Sequence, residues 1–101
     1  MARQATAWKQ DLFMYQYHKW LRSFHAVAKT GSFTLAAEYL SIGQPTVSEQ
    51  VNDLEKKFSV ELFHRRGRFI EMSSAGHKLY AITQGLFGQE DEAVQLLQSF
   101  K

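Results

Sequence analysis

Between Gln44 and Phe58 the apolar residues are Val47, Val51, Leu54 and Phe58, spaced i, i+4, i+7 and i+11. At roughly 100° per residue this spacing draws one narrow stripe down a helix. Pro45, Glu49, Asn52 and Lys56 project onto the opposite face, with Thr46, Ser48 and Asp53 beside them. Proline is tolerated in the first turn, where its missing N–H has no intrahelical partner in any case, so the helix starts near Gln44. A helix with one apolar stripe has to bury it against other elements, and that requirement organises the rest of the chain.

Those elements lie upstream. From Tyr17 to Thr30 the apolar positions are 17, 20, 21, 24, 27 and 28, which is helical spacing with one buried face. Gly31 is a stop, and Ser32 is a candidate N-cap for a short helix through Leu40, with Ala36, Ala37 and Leu40 inside. Residues 41–43, SIG, then break the chain. Downstream, Leu62-Phe63 and Phe69-Ile70-Glu71-Met72 flank the basic run HRRGR and read as a β-hairpin. Ser73 can cap a final helix from about Ser74 onward. Leu79, Leu86, Ala93 and Phe100 share one heptad position of that helix, and Ile82, Gln89 and Leu96 share the other. Gly85 and Gly88 weaken it by about 1 kcal/mol each. The seam is expected to dimerise, with polar Gln89 fixing register; the alternative is that the helix packs back on its own domain.

The order helix, short helix, break, helix, basic hairpin, long helix predicts a mainly α fold. It is a winged helix-turn-helix with a small β-hairpin wing and a long C-terminal linker helix. Residues 1–16 form an N-terminal extension, 17–73 the winged domain and 74–101 the linker or dimerisation helix. At 101 residues one domain is expected. The absence of cysteine excludes a disulfide framework, a thiolate zinc site and a cysteine nucleophile. No apolar run approaches a membrane span and the N-terminus lacks a signal-peptide pattern, so a cytoplasmic setting without membrane partners is expected. His18, His25, His64 and His77 have no metal-ligand spacing, and no serine, histidine and carboxylate set suggests catalysis. No metal, cofactor or enzymatic activity is expected.

Net charge is only +2. The distribution says more: residues 65–68 hold three arginines, while residues 44–58 set Glu49, Asp53 and Glu55 against Lys56 and Lys57. Attraction to a polyanion therefore has to come mainly from HRRGR.

Residues 21–79 carry F-x-x-V-A-x-x-G-S-F-T-x-A-A-x-x-L, then Q-P-x-V-S-x-Q-V-x-x-L-E, then V-x-L-F-x-R, and a closing S-x-A-G. This set, in this order, resembles the DNA-binding domain of LysR-type transcriptional regulators. The resemblance implies a winged-helix homodimer joined through its linker helices, bound to interrupted palindromes in double-stranded promoter DNA, with a tetramer open to the full-length protein. It also implies a larger effector-binding domain, absent from this chain, through which alone a small-molecule inducer would act. FHRRGR and the acidic run QEDEAVQLL are similar to members associated with 2-aminoethylphosphonate use. Three features depart from the family pattern: Gly43 at a position usually held by a serine cap, Glu49 where a base-reading arginine is common, and the extension before residue 21.

The resemblance places DNA contacts at Gln44, Pro45, Thr46, Ser48, Glu49 and Asn52 on the recognition helix and at Arg65, Arg66 and Arg68 on the wing. Ser32 and Thr34 are candidates for backbone phosphates, with a plain cap as the alternative for Ser32. Arg65 has an inward salt bridge as its alternative. Glu49 can accept a hydrogen bond from cytosine N4. Leu79, Ile82, Leu86, Gln89, Ala93, Leu96 and Phe100 are the dimerisation candidates. A second reading remains: a protein-interaction module that dimerises through the long helix and does not read DNA. The net-negative helix 44–58 suits it, and charge reversal at Arg66 and Arg68 separates the two.

Overall fold

A computed structural model describes Ala2 to Lys101, with side chains from Met14 onward. Its elements are α1 (Ala2–Thr30), α2 (Phe33–Leu40), α3 (Gln44–Phe58), β1 (Phe63–Arg66), β2 (Phe69–Met72) and α4 (Ser74–Gln98). Order and type match the winged helix-turn-helix expected from the pattern. The first helix, however, does not start at Tyr17. It runs from Ala2, so residues 2–16 of the expected extension are part of α1. Most of that extension lies outside the residues whose side chains are described.

The core forms where α1, α2 and α3 meet, closed below by the start of the wing. Phe24, Val27, Ala36 and Val47 are fully buried, and Val51, Leu54, Leu62 and Phe63 nearly so. Trp20, Leu21 and Leu40 pack on its rim. Phe24 and Phe63 stack with ring centroids 5.2 Å apart. The buried Ser23 hydroxyl donates to the side-chain oxygen of Gln50, pinning α1 to α3. Phe58 departs from expectation. It ends the apolar stripe of α3 but is 56% exposed, because the last turn of α3 runs to the edge of the core, where Phe58 lies against the Tyr17 ring.

The breaks have specific geometries. Gly31 and Ser41 close α1 and α2 with positive φ, and Ser59 closes α3 in the same left-handed conformation. The wing is a two-stranded antiparallel hairpin in which Arg66 pairs with Phe69, leaving Gly67 and Arg68 as the loop. Gly67 takes φ +59°, as the first residue of a tight hairpin loop requires. At the wing's base, the Ser73 hydroxyl donates to the Glu61 carbonyl and accepts from the Gly76 amide, 2.6 and 3.0 Å. Gly76 approaches so closely that a Cβ there would stand 2.3 Å from the Leu62 carbonyl oxygen. The S-x-A-G run is thus the joint between wing and α4.

Candidate nucleic-acid interface

The start of α3 presents a polar, accessible surface. Gly43 caps the helix in an extended conformation with no side-chain bond; its carbonyl accepts from Thr46 and Val47 N–H at 3.1 and 3.2 Å. A helix start with no side-chain cap keeps positive potential available for an anion. Gln44 donates to the Ser48 hydroxyl at 2.9 Å, an i,i+4 bond that orders both side chains on one face. Pro45, Thr46, Glu49 and Asn52 are exposed on the same helix while Val47, Val51 and Leu54 are buried. Glu49 shares a shallow cleft with Lys19 and Tyr15 of α1, and the Lys19 ammonium stands 4.8 Å from the Tyr15 ring. Burial does not account for the acid.

The wing arginines differ from one another. Arg68 is exposed in the loop and Arg66 lies 4.0 Å from the Glu71 carboxylate, a loose contact between two exposed side chains. Arg65 makes no ion pair among the described residues. In place of the inward salt bridge its guanidinium stacks 4.6 Å above the Phe33 ring, which fixes its direction and leaves its N–H groups accessible. The Ser32 hydroxyl caps α2, accepting from the Leu35 amide at 3.1 Å, which leaves its O–H able to donate, and Thr34 is exposed on the first turn. His64 faces Glu61 at 2.9 Å.

One residue that holds the wing escaped the sequence reading. In the sequence Glu55 stands out only as a charge on α3 and as the acid that ends the Q-V-x-x-L-E run. Its carboxylate accepts from the Leu62 and Phe63 amides at 2.7 and 3.3 Å and so ties the base of the wing to the helix. The available signal was its place at the end of the Q-V-x-x-L-E run, where an acid one position beyond the apolar stripe has to face something polar.

The linker helix divides its residues between two faces. Toward α1 it sends Tyr80, Thr83 and Phe87; Thr83 and Phe87 are buried. The Thr83 hydroxyl is directed at the Tyr80 carbonyl, 3.2 Å, which leaves its oxygen to accept from His25 Nδ1 at 2.8 Å. Burial pushes the His25 imidazole below its ordinary value; Lys29 and Arg22 act in the same direction and Asp91 opposes them. The heptad seam lies elsewhere. Ile82, Leu86, Leu96 and Phe100 are exposed, as are Gln89 and Ala93, and only Leu79 is partly buried, against the core. The inward packing therefore runs through Thr83 and Phe87, two residues outside the heptad pattern.

Among the described residues no group of three or more His, Asp or Glu is placed to hold a metal, and no helix is long and apolar enough to cross a membrane. The surface offers hydrogen-bonding side chains on an exposed helix face, a hairpin with guanidinium groups, and an apolar seam on a separate helix.

The family described as "Bacterial regulatory helix-turn-helix protein, lysR family" matches residues 18–77. The RuBisCO operon transcriptional regulator of Allochromatium vinosum is 37% identical over 81 residues, covering 80% of this chain and 27% of that protein. The HTH-type transcriptional activator CmpR of Synechocystis sp. is 40% identical over 81 residues, 77% of this chain and 27% of CmpR. The chain thus spans about a quarter of the length of these relatives. Among solved structures, the BenM DNA-binding domain in complex with catB site 1 DNA superposes with a TM-score of 0.71 at 33% identity, over 81% of this chain and 92% of that one. With more than half of its length matched by the family and its fold shared with a solved DNA-binding domain, this chain belongs to the lysR family of bacterial regulatory helix-turn-helix proteins.

Proposed function

We propose that the chain binds promoter DNA sequence-specifically as a homodimer, with α3 in the major groove and the wing on the backbone or the adjacent minor groove. The observation that carries the reading is the exposed face of α3. Gln44 and Ser48 are held there by their mutual bond, beside Pro45, Thr46, Glu49 and Asn52, while the same helix buries its whole central stripe. Such a face is too polar for an apolar partner and is of the kind that meets base edges. The wing supplies the positive charge that α3 lacks: Arg66 and Arg68 for phosphates, and Arg65 held out by Phe33. Support also comes from the likeness to BenM bound to catB site 1 DNA. Thr34 and Ser32 add phosphate contacts at the start of α2, Ser32 through the O–H that its cap bond leaves free.

In this reading Glu49 selects more than it attracts. It accepts from cytosine N4 at one half-site position and repels phosphate elsewhere. Glu49→Ala then raises affinity for random DNA and relaxes one base preference; an unaltered preference would make Glu49 a plain surface residue. The seam Leu79, Ile82, Leu86, Gln89, Ala93, Leu96 and Phe100 joins two copies. A tetramer and a small-molecule inducer belong to a form with the length of these relatives, of which this chain spans 27%, and the setting is the cytoplasm. An association with 2-aminoethylphosphonate use rests on FHRRGR and QEDEAVQLL alone.

The test is selection of bound fragments from genomic DNA with this chain at moderate salt. The expected result is one enriched motif with two half-sites about one helical turn, roughly 34 Å, or a multiple of it apart. Enrichment without a common sequence would refute the reading.

A further inference from the structure

The linker helix is attached to the domain along a stripe that ends at one carboxylate. Tyr80, Thr83, Phe87 and Glu90 follow one another at i, i+3, i+7 and i+10 and meet His18, Arg22 and His25 on α1. On a helix of roughly 100° per residue this stripe lies about a third of a turn from the seam of Ile82, Leu86, Leu96 and Phe100. The helix can therefore hold its own domain and a second copy at the same time.

The attachments differ in kind. Phe87 lies against the His18 and His25 rings with centroids 5.4 and 5.1 Å away, and the Arg22 guanidinium stands 5.6 Å from its ring. Ring contacts of this sort have broad preferred geometries, and above them the stripe holds one hydrogen bond, between His25 Nδ1 and the Thr83 hydroxyl. Glu90 is different. One carboxylate oxygen bonds the Arg22 guanidinium and the other lies 3.0 Å from His18 Nε2. A charge-assisted hydrogen bond from Arg22, with His18 close to the second oxygen, favours one orientation of the helix. Beyond this point every residue from Asp91 to Lys101 is exposed. Glu90 is the last place at which the domain can set the direction of α4.

We propose that Glu90, gripped by Arg22 and His18, is a positioning residue that sets the angle between the linker helix and the recognition domain, and thereby the half-site spacing that a dimer accepts. The inference rests on the dimeric DNA-binding reading above. Its leverage follows from dimensions. The stretch Ser74 to Glu90 is about 25 Å long at roughly 1.5 Å per residue. A tilt of about 10° over that length displaces the far end by about 4 Å, which exceeds the rise of one base pair, about 3.4 Å. A clamp that holds α4 within a few degrees is therefore what separates a dimer with one preferred spacing from one that accepts several.

The experiment measures binding of the 101-residue chain to probes carrying two copies of its selected half-site, with the spacer varied one base pair at a time. The parent chain is expected to show one sharp optimum. Glu90→Ala should keep the same half-site sequence and the same affinity for a single half-site. At the parent's optimum it should lose about tenfold, with neighbouring spacings rising toward it, because bivalent gain depends on simultaneous engagement. Arg22→Gln leaves α4 unaltered and should broaden the profile in the same way, so a failure of Glu90→Ala to fold does not decide the matter. The exchange Arg22→Glu with Glu90→Arg should narrow it again. Spacer profiles of both single variants that superimpose on the parent's overturn the inference and leave the DNA-binding reading intact. A parent chain with no sequence preference defeats the DNA-binding reading itself, and this inference with it.

Discussion

Helices α3 and α4 solve the same problem in opposite ways. Each carries an apolar stripe and a second face, but α3 buries Val47, Val51 and Leu54 and exposes polar side chains, whereas α4 leaves Ile82, Leu86, Leu96 and Phe100 in solvent. A polar face with ordered hydrogen-bonding groups fits a hydrated, polar partner such as a DNA groove. An apolar seam fits a second copy of itself, since burying such surface is favourable at about 25 cal/mol per Å². The two exposed faces thus call for different occupants, and the difference between them can be broken experimentally.

The largest effect separates the stripes themselves. Leu54→Ala removes a core side chain that is 4% exposed and should cost about 2–5 kcal/mol in denaturant-induced unfolding. Leu96→Ala, from 59% exposed, should change the stability of the isolated chain by less than about 0.5 kcal/mol. It should nonetheless weaken self-association in sedimentation equilibrium; equal costs in unfolding would mean that the distal seam is packed within one chain. Next comes the joint between wing and α4. Gly76→Ala forces a methyl group toward the Leu62 carbonyl and should destabilise by about 1–3 kcal/mol, read from the same unfolding curves. Gly85→Ala meets no neighbouring atom and serves as its control.

Charge reversal at the wing touches neither stripe. Arg66→Glu with Arg68→Glu should leave the fold intact, weaken operator binding at least about tenfold, and reduce the salt dependence by the contribution of about two phosphate contacts. Unchanged binding would favour the protein-interaction reading. The smallest effect concerns the α1–α4 contact. The unfolded chain takes up a proton on His25 near the ordinary imidazole value of 6.5, while the folded chain resists protonation there because its value is lowered. Stability contributed by neutral His25 is thus present above 6.5 and declines as pH falls below it toward the folded value. His25→Phe should flatten that part of the stability–pH profile, and an unchanged slope would show that the imidazole does not contribute to it.

The boundaries of α3 were legible because several signals agreed: a break at residues 41–43, a first-turn proline and a stripe of four apolar residues. Periodicity failed at the edges of the core. Phe58 continues the stripe in sequence, but the last turn of α3 runs to the edge of the core. The apolar periodicity of α1 begins at Tyr17, yet no glycine or proline interrupts the chain before Gly31, and the helix runs from Ala2. In α4 the heptad template covers Leu79, Ile82, Leu86, Gln89, Ala93, Leu96 and Phe100 and passes over Thr83 and Phe87. Whether a threonine is buried depends on an acceptor or donor from another element, here His25, and no local pattern reveals that. The same holds for Glu55, whose partners are amides seven and eight residues away, and for Arg65, whose partner is the Phe33 ring. The candidate DNA-binding positions were found by their match to family motifs, with the helical projection showing that they share a face.

The most direct measurement is the affinity of this chain for its selected operator and for a shuffled sequence of the same composition, each across a series of salt concentrations. Both affinities should fall as salt rises, from counterion release at the wing. Their ratio should stay at about 10³ or more, as base-edge contacts from α3 require. A ratio near one at every salt concentration would contradict sequence reading by α3 and leave only non-specific attraction to the wing.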